Sequence, residues 1–171
     1  SGTGKLQMKI YGVTGGKNTG KTGLIERLVK EFVNRGVTVS TIKHAHHDTD
    51  IDQPGRDSHR HREAGAHQVV LSTKHRWAIM TELRDAPEVD LKSIIRSLEP
   101  VQLTLIEGYK NEPHPKIETF RLTISKPLLA LTNSSIKGIA SDSPIPGLEI
   151  PIFDLNDTEK IADFISEEVR L

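Results

Sequence analysis

The chain has 171 residues, and its 23 lysines and arginines balance 23 aspartates and glutamates. A chain of this length buries roughly 70% of its unfolded surface, and a formal charge of zero leaves no broad basic field for nucleic acid or an anionic membrane. Without cysteine there are no disulfides or thiolate metal sites, and no apolar run nears the roughly 18 residues of a membrane span, so a soluble cytoplasmic protein is expected.

Residues 1–7 (SGTGKLQ) read as an expression tag or frayed leader, and residues 8–171 as a single domain. Lys9 to Thr14 is β-prone and is stopped by Gly15 and Gly16. From Thr22 to Arg35 the apolar residues Ile25, Leu28, Val29, Phe32 and Val33 recur at helical spacing, and Gly36 stands where a C′ glycine ends a helix. Val37 to Ile42 alternates as a second strand. The chain therefore opens as strand, loop, helix, strand.

Lys43 to Gly55 is polar and rich in histidine and aspartate, and a short helix from Ser58 to Ala64 follows, capped by Asp57 or Ser58. Gln68 to Thr73 and Arg76 to Thr81 form an antiparallel hairpin about Lys74 and His75. A helix is expected over Leu91 to Leu98 and a buried strand over Val101 to Ile106. Further strands are expected at Ile117 to Ile124, Leu128 to Leu131, Ile136 to Ala140 and Ile152 to Asp154. The final helix, Asp157 to Arg170, rests on Ile161, Phe164, Ile165 and Val169, with Asn156 and Glu159 spaced as a capping pair. Strands alternating with helices predict an α/β fold with a mostly parallel sheet.

Gly15-Gly16-Lys17-Asn18-Thr19-Gly20-Lys21-Thr22 satisfies the phosphate-loop pattern G-x-x-x-x-G-K-[ST], with a strand before it and a helix after it. Glycines let successive backbone N–H groups turn inward, and the helix N-terminus adds partial positive charge. Lys21 is expected to reach the β and γ phosphates and Thr22 to place its hydroxyl on Mg²⁺. Gly15 to Thr22, with Gly23 behind them, are the candidate nucleotide-binding residues. Leu103 to Ile106 lead into Glu107 and Gly108, an acid at a strand end beside a glycine. Glu107 is the candidate outer-shell metal acid and Gly108 admits the γ phosphate. Lys21 and Glu107 are the candidate catalytic groups.

Six of the eight histidines lie between His44 and His67, which leaves open a transition-metal site. Asp48, in the same stretch, joins Thr22 and Glu107 as a candidate metal residue. The guanine pattern [NT]-K-x-D fails at Thr73-Lys74-His75-Arg76, so the residues leave the base open. Asp142, after the strand ending in Ala140 and Ser141, is the acid placed by topology to accept from guanine N1–H and N2–H.

These motifs in this order, Gly15 to Thr22, Thr41-Ile42-Lys43-His44 with His46-His47-Asp48, Pro54-Gly55 with Asp57-Ser58, Ala64-Gly65-Ala66, and Ile106-Glu107-Gly108-Tyr109-Lys110, resemble the molybdopterin-guanine dinucleotide biosynthesis protein B (MobB) family over nearly the whole chain. The resemblance implies a P-loop NTPase fold of the SIMIBI type, GTP and Mg²⁺ as ligands, and weak GTPase activity. It also implies a homodimer acting as adaptor to a molybdenum cofactor guanylyltransferase that attaches GMP to molybdopterin. Gln102 stands where relatives are expected to carry an aspartate. A metallocentre-assembly GTPase carrying nickel or zinc on the histidines is the alternative, and a small-molecule kinase a third.

Overall fold

The structure, a computed structural model, describes residues 8–45 and 57–171. They fall into two compact units: residues 8–45 with 100–171, and residues 57–99. The first unit begins with β1 (Lys9–Gly15), α1 (Lys21–Asn34) and β2 (Val39–Lys43). The second holds α2 (Asp57–Glu63), the hairpin β3 (Gln68–Ser72) and β4 (Trp77–Thr81), and α3 (Leu91–Ser97). The chain then completes the first unit with β5 (Leu103–Glu107), β6 (Lys116–Phe120), β7 (Ile136–Ser141), β8 (Ile152–Asp154) and α4 (Thr158–Val169).

The six strands of the first unit run in the order β2-β5-β1-β6-β7-β8, and every neighbouring pair is parallel. The α/β expectation holds, and so does the antiparallel hairpin, whose strands pair from Gln68 with Thr81 to Ser72 with Trp77. Parallel strands need crossovers, and crossover helices bury a face of the sheet. Here α1 and α4 pack together against β1. Their apolar stripes meet Tyr11, Val13, Leu103, Leu105 and Ile117 in one core. Leu24, Leu28, Phe32, Ile161 and Ile165 are fully buried there, each contributing roughly 1.5–3 kcal/mol.

Some boundaries differ from expectation. In α1 the buried stripe is Leu24, Ile25, Leu28 and Phe32, while Val33 is 56% exposed. Helix α4 is capped by Asp157, whose carboxylate accepts from the Lys160 amide at 3.2 Å, and not by the Asn156 and Glu159 pair. Asp57 is the first residue of α2, not its cap. Strand β6 ends at Phe120 rather than at residue 124.

The run Leu128 to Leu131 is no strand: Leu129–Leu131 form a 3₁₀ turn. The cause is a buried carboxylate. Glu118, on the sheet face opposite α1 and α4, accepts the amides of Leu129 and Ala130, one on each oxygen, both at 2.8 Å. Burial raises its pKa, and these two hydrogen bonds offset only part of the rise. Once its amides point at one side chain, the segment has no ladder to join.

Candidate phosphate site

The site stands at the carboxyl end of the sheet, where β1 has β5 on one side and β6 on the other. Open parallel sheets bind ligands at this edge, where successive connections diverge. Gly15 ends β1, Gly20 is the N-cap of α1, and Lys21, Thr22 and Gly23 open the helix. Gly20 has φ +92°, and Asn18 is left-handed as well at φ 63°, so the backbone curls instead of running straight from strand to helix. Lys17 and Asn18 are exposed at the top of the curl, whereas Thr19 is buried beneath it.

Thr19 locks the loop from below. Its hydroxyl lies 2.6 Å from the Gly16 carbonyl and 2.7 Å from the Thr119 hydroxyl, and Thr119 also donates to the Thr14 carbonyl at 3.2 Å. Lys21 Nζ donates to the carbonyls of Gly15 at 2.8 Å and Gly16 at 3.4 Å, so its ammonium spans the curl.

Opposite the loop, the buried Glu107 ends β5. Its Oε1 accepts from the Thr22 hydroxyl at 2.7 Å, and its Oε2 lies 3.9 Å from Lys43 Nζ at the end of β2. Gly108 follows with φ +90°, and a Cβ there would lie 3.3 Å from His44 Cβ, so only glycine fits without displacing that neighbour. The rings of His44 and Tyr109 stack at 4.3 Å. Burial lowers the Lys21 pKa; Glu107 raises it in part, while Lys43 and Lys110 lower it further. Lys43 and Lys21 thus share the Glu107 carboxylate, and Lys110 adds a third positive charge near Lys21, an arrangement suited to a polyanion that carries a divalent cation.

Most of the expected site residues come together here: Gly15 through Gly23 on one side, Glu107 and Gly108 on the other. Asp142 stands one residue beyond β7 and is exposed, with its Oδ1 accepting from the Leu122 amide at 3.0 Å and the Ser143 hydroxyl at 3.1 Å. Asp48 and its neighbours His46 and His47 lie outside the described residues. Sequence reasoning did not select Lys43, Lys110, Thr119 or Arg121. The two lysines lie inside motifs that it did use, but Thr119 and Arg121 reach the loop across a hundred residues of chain, and no spacing rule reports such a contact. Beside the loop a cavity of about 300 Å³ is walled by Gly16, Thr19, Phe120, Leu128 and Leu129, with Lys126 in its lining.

The family model for molybdopterin guanine dinucleotide synthesis protein B, MobB, matches residues 10–142. The chain belongs to the MobB family. The molybdopterin-guanine dinucleotide biosynthesis adapter protein of Escherichia coli is 36% identical over 167 residues, spanning 96% of this chain and 95% of its own. That of Haemophilus influenzae is 38% identical over 159 residues, covering 93% and 88%. The crystal structure of Bacillus subtilis MobB superposes with a TM-score of 0.76 at 25% identity, over 94% of this chain and 98% of that one. The MobB resemblance drawn from the motifs is thereby borne out, as is the fold it implies.

Proposed function

We propose that this chain is a Mg²⁺-dependent GTP-binding adaptor that serves a guanylyltransferase in the attachment of GMP to molybdopterin, working in the cytoplasm as a homodimer. The observation that carries the nucleotide part is the 2.7 Å bond between Thr22 and Glu107 at the foot of a loop spanned by Lys21. A hydroxyl and a carboxylate paired at the start of the helix are the donor set Mg²⁺ takes in a phosphate-loop protein, the metal keeping most of its waters. Mg²⁺ there supplies charge neutralisation between phosphate oxygens. The loop holds the polyphosphate, Lys21 offers its ammonium to the terminal phosphates, and Gly108 leaves room for the γ phosphate.

Hydrolysis is expected to be slow. The groups gathered around Glu107 are lysines, which neutralise charge but do not orient water as a glutamine does. Slow turnover suits an adaptor that positions a nucleotide for another enzyme, and the relatives are named as adapter proteins. The hairpin supports self-association: Val70, Trp77 and Ile79 share one face by register and are 60%, 64% and 51% exposed, an apolar patch of a kind that marks interfaces. The metallochaperone alternative rests in part on His46, His47 and Asp48, which lie outside the described residues.

The test is calorimetric titration with GTP and ATP, each with Mg²⁺. A preference for GTP of about tenfold or more, reduced in an Asp142→Asn variant, is expected. Equal affinity for the two nucleotides contradicts the base assignment, and a monomer in sedimentation at micromolar concentration contradicts the dimer.

A further inference from the structure

Arg121 directly follows β6, bonds the phosphate loop at Asn18 and lies beside Gly20. Its Nη1 donates to the Asn18 carbonyl at 3.1 Å. Its Nη2 stands 3.1 Å from where a Cβ on Gly20 would sit. Asn18 and Gly20 are the two left-handed residues that flank Thr19, so one planar guanidinium lies along the stretch where the loop turns hardest. Asparagine takes the left-handed conformation more readily than other non-glycine residues, and a bond to its carbonyl holds it there. Thr19 is tied from below by Thr119, and Arg121 supplies the corresponding tie on the carbonyl side of Asn18.

The arginine is itself held in place. The amide of Asp142 donates to the Phe120 carbonyl at 3.3 Å, the Asp142 carboxylate accepts the Leu122 amide, and the Ile124 amide donates to the Arg121 carbonyl at 3.0 Å. The turn that carries Arg121 is thus pinned on both sides of it, one pin being the same aspartate that topology offers for the base. A guanidinium suits the task better than an ammonium, because its planar fork keeps one N–H on the Asn18 carbonyl while the other arm lies beside Gly20.

We infer that Arg121 is a positioning residue: it braces the top of the phosphate loop and, through the turn anchored by Asp142, ties the base side of the site to the phosphate side. The inference rests on the nucleotide reading for its functional consequence, while the brace itself is a property of the protein alone.

The experiment compares wild type, Arg121→Met and Arg121→Lys in two ways. Backbone ¹⁵N relaxation of the protein without nucleotide reports loop order. Order parameters at Asn18, Thr19 and Gly20 are expected to fall in Arg121→Met from the rigid range near about 0.85 to below about 0.6, while those of Leu24 to Phe32 hold, and Arg121→Lys recovers part of the loss. Unchanged loop order overturns the brace, whatever the nucleotide does. Calorimetry then uses Mg²⁺ with GTP and, separately, inorganic tripolyphosphate, which has no base. Both affinities are expected to drop by the same factor, about tenfold. A loss confined to GTP, with tripolyphosphate unchanged, overturns the inference in favour of direct contact with the nucleoside. A wild-type protein that binds neither compound refutes the nucleotide reading instead, and the relaxation data still decide the brace.

Discussion

One face of the six-stranded sheet meets α1 and α4 through Tyr11, Val13, Leu103, Leu105 and Ile117, whereas the other buries Thr104, Lys116 and Glu118 from the same strands. Both faces are buried at these positions, yet the second combines apolar Ile106 and Ile139 with polar groups that need partners. The helix face is stabilised by apolar area, which is non-directional and tolerates changes of shape. On the opposite face Lys116 and Glu118 each depend on named partners, and His114 is left without one. Lys116 gives its ammonium to the carbonyls of Glu112 and His114 and to the Ser135 hydroxyl, and Glu118 takes the two amides of the 3₁₀ turn. The lesson is that volume governs substitutions on the first face, and pairing governs them on the second.

The largest expected effect comes from removing volume on the helix face. Phe32 is wholly buried, and Phe32→Ala should cost about 3–5 kcal/mol in urea unfolding; a cost near that of a surface change would mean the core lies elsewhere.

The next effect belongs to the polar face and depends on pH. His114 is buried with both ring nitrogens lacking a hydrogen-bond partner. Burial, and then the neighbouring Lys116 charge, lower its pKa from 6.5 to about 4. Between those values the unfolded chain takes up a proton that the folded one refuses. Stability should therefore fall as pH drops from about 6.5 towards about 4, then level off, for a total of about 3 kcal/mol. Urea midpoints across this window measure the slope, and His114→Leu should flatten it. An unchanged slope in that variant would assign the acid sensitivity to another group.

The smallest effects separate the two faces most cleanly, because neither substitution changes volume much. Leu28→Met should cost less than about 1.5 kcal/mol, whereas Glu118→Gln, which turns an amide donor towards one of the two backbone amides it must accept, should cost about 1–3 kcal/mol. Reversal of that order would show that pairing does not control the polar face.

The same contrast explains what was legible in the sequence. The opening strand, loop and helix could be read because Ile25, Leu28 and Phe32 repeat with the helical period and the glycines punctuate both ends. The pattern for the phosphate loop encodes local backbone chemistry, so its residues could be named together with the helix that follows. Leu128 to Leu131 misled because a short apolar run does not distinguish a strand from a turn, and what decides it, Glu118, lies ten residues earlier in a strand of its own. Asp157 displaced Asn156 as a cap by a single position, a resolution that composition does not supply. Thr119 and Arg121 were invisible for a deeper reason: their roles exist only after β6 has been laid beside β1. Lys43 and Lys110 sit inside recognised motifs, but their shared charge environment with Lys21 and Glu107 arises from the parallel register of β2, β5 and β1.

The most direct test of the account is calorimetric titration of Mg²⁺-GTP into wild type and Lys21→Ala, with circular dichroism as a check on folding. The prediction is tight binding by the wild type, at least about 100-fold weaker binding by the variant, and superimposable spectra. An affinity that Lys21→Ala leaves unchanged would contradict the assignment of this loop as the phosphate site.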